Sequence, residues 1–453
     1  MLLQLPTETL CLISAQLENQ HNRLHLASSC RRLYTALHRT IFVEVKLCAY
    51  RPGVPVPEIR QVSQFLYTIV RNPDLASVVQ VLDLCSWQTK TTCDNHGYPS
   101  DIDFDRDIME RLVREASSDS KRQVTWIKDL ECGITDAWLA LMIPRLNNLR
   151  KISFIWSIQA DYVYGMLIDA AKAETPVFPH LEEAWAAPRD TEGWSETELM
   201  LPFFNFPAMR KLGGHMLYDG WEWTEEENQR NPWGLPVEIG CSNVTDIDLR
   251  MSCANDGLQT WIRSCKALKT FRYSHGGATV AYEPSNHRRL YEALLLHKTT
   301  LQAVSISEDE YGIDPEENEN FFLGSFADFT NLKTLHAPCT GIVEQEEGRP
   351  TQSLVDILPP SLELLSLFYH DMELLVWLLE ECELLLDSNV CPKLGTICIR
   401  HCGLNETEIA HKVENLKLRC EDAGVSLRNF HSDSRDEMEY WDSVWPFDHD
   451  FDQ

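Results

Sequence analysis

One six-residue phrase, LxxLxL, recurs along most of this chain and limits its fold more than any other feature. The clearest copies are "LRKISF" from Leu149, "VTDIDL" from Val244, "LKTFRY" from Leu268 and "LQAVSI" from Leu301. Three more are "LKTLHA" from Leu332, "LELLSL" from Leu362 and "LGTICI" from Leu394. Weaker copies start at Val79, Leu181 and Met209, and a last one starts near Val425 in "VSLRNF". Such apolar alternation reads as a half-buried strand. From Leu268 the starts fall 33, 31, 30, 32 and 31 residues apart. Helical stretches such as "RRLYEALLLHKTT" and "DMELLVWLLEECELLL" fill the intervals.

A period of about 31 residues suits one strand plus one full helix per unit. A single unit cannot bury both its strand edge and its helix face, so stacked neighbours must supply the core. The expected class is α/β, with a curved solenoid of about ten strand–helix units. A (β/α)8 barrel also alternates strands with helices, but ten or eleven strands exceed eight and no closure signal is present. The array resembles the irregular leucine-rich repeats of many fungal proteins.

The first 40 residues read differently. Pro6 suits a helix entry, where its missing N–H costs nothing; Thr7 or Thr9 is the expected cap, and Glu8 complements the helix dipole. Leu10, Ile13 and Leu17 make one apolar stripe, and Leu24, Leu26, Cys30, Leu33 and Leu37 a second. A segment of about 40 residues is too short to bury a core of its own without help. Its apolar ridge is therefore expected to be a binding face, or else a cap on the rest of the chain.

"LPTETLCLISAQL" followed by "RLHLASSCRRLYTAL" resembles an F-box. The likeness departs at Arg23, Ser28 and Ser29, where the family usually has aliphatic residues, and at Leu33, where it often has Trp. It implies a three-helix module over residues 1–47, a leucine-rich-repeat solenoid over 48–430 and a tail over 431–453. It also implies that Leu5, Pro6, Leu10, Ile13, Leu17, Leu24, Leu26 and Leu33 contact a Skp-type adaptor, which links such proteins to a cullin.

Two irregular insertions, about 85–123 and 219–236, interrupt the array. In the second, Trp221, Trp223 and Trp233 stand among acids, either as anchors for a ligand or as staples for their own loop. The tail carries eight acids against one Arg, together with Tyr440, Trp441, Trp445, Phe447 and Phe451. It is expected to be solvated or to fold back over the last repeat.

The net charge of -29 disfavours a nucleic-acid partner, which would require neutralising Lys and Arg. No run of 18 apolar residues proposes a membrane span. The start lacks a basic leader, so a cytoplasmic or nuclear location with reduced, mostly buried cysteines is expected.

No phosphate loop, nucleophile elbow or metal-spaced cluster is present, so neither an enzyme activity nor a cofactor is expected. The acid pair Asp246 and Asp248 mimics glycosidase carboxylates, and His215, His275, His370 and His401 fall near strand ends, but solvated turn residues explain both. Strand alternation assigns one face away from the apolar interior. Trp185, Lys211, His215, Asp248, Arg250, Arg272, His336, Phe368 and Arg400 are expected there as target-binding candidates. The arginines would suit a carboxylate or phosphate group, or pair with acids of the chain itself.

The resemblance implies a substrate receptor of a Skp–cullin–F-box ubiquitin ligase, whose target stays unidentified. The alternatives are a non-ligase interaction scaffold and a barrel hydrolase.

Overall fold

The computed structural model describes residues 4–17, 20–47, 59–99, 102–157, 159–189, 195–219, 238–253, 256–276, 286–308, 322–346, 349–368, 372–401 and 407–431. Trp221, Trp223, Trp233, His370, nearly all of the second insertion and the tail beyond His431 lie outside them. The chain divides after Leu212 into two compact units.

The first unit opens with three short helices, α1 (Thr7–Ala15), α2 (Gln20–Ser28) and α3 (Arg31–Ile41). Pro6 itself precedes α1, its carbonyl accepting the Leu10 N–H at 3.1 Å. No side chain caps the helix, so neither Thr7 nor Thr9 takes the expected role. Leu10, Ala27, Leu33 and Leu37 form a small core of their own, with Leu5, Cys11, Leu26 and Cys30 packed against it.

Strand β1 (Glu44–Leu47) follows α3 and pairs in parallel with β2 (Val81–Leu84). The array therefore begins inside the stretch expected to be wholly helical, and "FVEVKL" from Phe42 is an LxxLxL copy. Arg23 joins the two parts. Its Nε donates to the Leu17 carbonyl at 2.7 Å, and its guanidinium lies 3.5 Å from Glu44. A cation thus sits where an aliphatic residue was expected because it ties the chain between α1 and α2 to the first strand.

Strands β3 (Lys151–Ile155), β4 (Glu183–Ala187) and β5 (Lys211–His215) continue the parallel sheet in sequence order. The 85–123 insertion is not an irregular loop. After helix α4 (Ile59–Arg71) it holds Lys90–His96, which starts on a Thr89–Thr92 capping box, and α5 (Arg106–Ala116), capped by Asp105. Next come α6 (Ser120–Glu131), α7 (Thr135–Met142) and, after β3, α8 (Asp161–Lys172). Trp87, Cys93, Met109, Leu112 and Val113 are buried, so this segment belongs to the packed body.

In the second unit β6 (Asp246–Ser252), β7 (Thr270–His275), β8 (Ala303–Glu308), β9 (Thr334–Pro338), β10 (Leu364–Phe368), β11 (Thr396–His401) and β12 (Ser426–His431) pair in parallel, again in order. Helices α9 (Asp256–Ser264), α10 (His287–Leu294), α11 (Met372–Ser388) and α12 (Thr407–Asp422) connect some of them. Among the described residues neither run closes on itself, an order unlike that of a closed (β/α)8 barrel.

The fourth and sixth positions fill the core in the phrases from Phe42 through Leu394, as with Phe271 and Tyr273 or Leu335 and Ala337. A backbone device repeats with the phrase. The carbonyl at the second position accepts two N–H groups from the next copy, as Gln302 does from Lys333 and Thr334 at 2.8 and 3.1 Å. The same device joins Val43 to Gln80 and Val81, which identifies Phe42 as the start of a copy.

Pairing of Thr396 with Ser426 and Cys398 with Arg428 moves the last phrase to Gly424, one residue before the expected Val425. A one-residue slip exchanges the two faces of a strand. Arg428 accordingly joins the face opposite the core.

Twelve cysteines among the described residues are free thiols, eight of them buried. Burial pushes the Cys339 thiol up to about 12, as befits a small apolar core residue. Cys85 departs from the expected reduced state: it is disulfide-bonded.

Candidate interaction surfaces

Two surfaces hold the residues singled out from the sequence. The first is the three-helix module. Leu10 and Leu33 are buried in its core and Leu5 and Leu26 pack against that core, so these four are not the outward ridge that the stripes implied. A helix in a bundle spends its best apolar positions on its own neighbours, and Leu10 faces α2 and α3. Ile13 and Leu17 are half-buried, while Pro6 is exposed.

What remains open to solvent is a different apolar set: Leu12 at 67%, Leu24 at 47% and Tyr34 at 53% exposure, one from each helix. Leu12 and Tyr34 were not among the expected contacts. Their signal was present, since each is a large apolar residue off the internal stripe of its helix. Near Leu5, Arg32 donates to the Leu5 carbonyl at 3.4 Å and fixes the chain entering α1. Tyr34 stacks on His38, with ring centroids 5.7 Å apart.

The second surface is the sheet face turned away from the core in the second unit. Register places Asp248, Arg272, Ser305, His336, Ser366, Cys398 and Arg428 in one row across β6 to β12. Asp248 is fully buried and held by two arginines. Arg250 donates to its Oδ2 through Nε at 3.2 Å and Nη2 at 3.1 Å, and Arg272 Nε lies 3.9 Å from Oδ1. A buried carboxylate is tolerable only when so compensated. The side chains of Arg250 and Arg272 remain 21% and 19% exposed.

His336 is also buried, its Nδ1 2.8 Å from the Ser366 hydroxyl and its ring 5.2 Å from that of Phe368. Burial, with the Arg400 and Arg272 charges, pushes its pKa down to about 3, so the imidazole is neutral. Both arginines thus converge on His336 from two strands away on either side.

The expectation of an open face is corrected at Trp185, Asp248, His336 and Phe368, all buried. Trp185 sits on β4 of the first unit, flanked by Ser153 on β3. Alternation tells which face a residue takes, while its exposure depends on the neighbours about 4.8 Å to either side. Lys211, His215, Arg250, Arg272 and Arg400 are half-buried. Arg428, exposed in the same row, was missed because its phrase was placed one residue late.

The catalytic alternatives find no support in this geometry. His275 is buried beside Tyr273, whose hydroxyl lies 2.8 Å from its Nδ1. Asp248 is engaged by arginine, and Asp246 accepts a hydrogen bond from Thr245 at 2.6 Å. Among the described residues no helix is long and apolar enough to cross a membrane, and no group of three or more His, Cys, Asp or Glu side chains could hold a metal ion.

Parallel strands in sequence order, a recurring LxxLxL core and a polar face opposite it define a repeat protein built for interaction. The chain belongs to the leucine-rich repeat family: the family model described as a leucine-rich repeat domain matches residues 177–413, just over half of its length. Members of this class are typically non-catalytic protein-interaction modules. The match covers the repeats and leaves the three-helix module outside it. No curated protein and no solved structure matches the chain at a significant level.

Proposed function

We infer that the chain is the substrate-recognition subunit of a Skp–cullin–F-box ubiquitin ligase, acting in the cytoplasm or nucleus. The three-helix module binds the adaptor and the repeats hold a target protein. One observation carries the reading: the module has its own four-residue core, separate from that of the repeats, and still presents Leu12, Leu24 and Tyr34 to solvent. An apolar set spread over three short helices is what a partner subunit would cover.

On this reading the chain performs no chemistry. It raises the effective concentration of a target lysine near a charged conjugating enzyme. Leu10 and Leu33 then serve adaptor binding indirectly, by holding the helices in place. A non-ligase scaffold would bind the adaptor without a cullin. Affinity capture of the tagged full chain, with adaptor and cullin both assayed, separates the two. Recovery of both supports the ligase receptor, adaptor alone supports the scaffold, and neither one removes the reading.

A further inference from the structure

The face that carries Arg250, Arg272, Arg400 and Arg428 holds the buried Asp248 against the first two, and the four arginines still outnumber that carboxylate on a chain whose net charge is -29. This lane of arginines spans β6 to β12, six strand steps or about 29 Å. Its last strand ends at His431, one residue beyond the Phe430 that pairs with Arg400. From that point 22 residues follow, with eight acids, one Arg and five aromatic residues. Extended, they reach about 70 Å, enough to run the lane from Arg428 to Arg250.

We propose that the C-terminal segment 432–453 docks on this lane as an intramolecular ligand and competes there with acidic segments of a partner. The proposal rests on the reading of this face as the target surface only for what the tail displaces. Its carboxylates meet guanidinium groups in charge-assisted pairs. Phe368 and the neutral ring of His336, tilted against one another 5.2 Å apart and both buried, form a floor between Arg272 and Arg400, so what the segment meets on this face is the half-buried guanidinium groups and the exposed Arg428. A linker of zero length at His431 gives the segment a local concentration in the millimolar range. An outside acidic peptide therefore competes at a disadvantage.

The test uses the full-length chain and a fluorescein-labelled peptide of residues 432–453, read by anisotropy. In the first variant all eight tail acids are replaced by the corresponding amides. It is expected to bind the peptide at least tenfold more tightly than the wild type, and to lose that binding as salt is raised. Adding Arg400→Gln, which leaves Asp248 with both its arginines, is expected to weaken peptide binding at least fivefold with an unchanged thermal melt. Equal binding by wild type and first variant overturns the proposal. So does no binding by either, or binding indifferent to Arg400→Gln. Adaptor binding is measured on the same preparations: its failure would sink the ligase reading and leave the peptide result as it stands.

Discussion

His336 on β9 and Ser366 on β10 are register partners, joined by a 2.8 Å hydrogen bond between the ring Nδ1 and the hydroxyl. Burial, with the Arg400 and Arg272 charges, keeps this imidazole neutral, with its pKa at about 3. In the unfolded chain the same group titrates near 6.5. Because the folded value is depressed, the unfolded state takes up the proton first as pH falls. Stability is full above about 6.5 and declines toward 3, by about 2 kcal/mol between pH 7 and pH 5. His336→Gln keeps a hydrogen-bonding partner for Ser366 and removes that slope. Denaturant unfolding at the two pH values should show the difference between wild type and variant shifting by this amount; an unchanged difference contradicts the assignment.

A second buried group titrates in the opposite sense. Asp136 on α7 accepts hydrogen bonds from Trp87 Nε1 and the Tyr162 N–H, each at 2.8 Å, and from the Val163 N–H at 3.3 Å. It caps α8 from a distance, where Ala160 offers no side chain. Burial pushes it up to about 7 despite those donors. A raised acid contributes stability that is full below about 4 and lost as pH rises to 7, on the order of 3 kcal/mol. Asp136→Asn should flatten that loss in denaturant titrations at pH 4.5 and 7. A variant with the wild-type slope would show that Asp136 is ionised throughout.

The separate core of the three-helix module makes it a separate unit of stability. Leu37 is fully buried within it. Leu37→Ala is expected to cost about 3 kcal/mol, and the loss should be local. Hydrogen exchange should accelerate across Thr7–Ile41 while β3 and β4 keep their protection. Equal acceleration in both regions would mean that the helices and repeats unfold as one.

The repeat phrase made the strands legible because alternation is a local signal. Its failures are equally local. The Phe42 copy begins directly where α3 ends, inside the stretch that the helical reading covers. The first position of the Gly424 copy carries no side chain, so alternation alone points to the apolar Val425 as the start. Trp185, Asp248, His336 and Phe368 were placed on the correct face, yet are covered by neighbours that a single strand's sequence does not contain. In the module, the stripes at Leu10 and Leu33 mark the internal contacts of three helices; of the outward residues, Leu24 lies within a stripe, whereas Leu12 and Tyr34 lie beside them. Which apolar residue meets which surface is a property of packing between helices, and spacing within one helix does not encode it.

Adaptor binding by the module is the claim on which the functional account depends. Leu24→Asp places a charge on an apolar residue that is 47% exposed and outside the module's core, so the fold is expected to survive. Calorimetric titration of the full chain with purified Skp-type adaptor should give a saturable 1:1 isotherm for the wild type and at least tenfold weaker binding for Leu24→Asp, with unchanged thermal unfolding. No heat from the wild type, or equal affinity from both proteins, would contradict it.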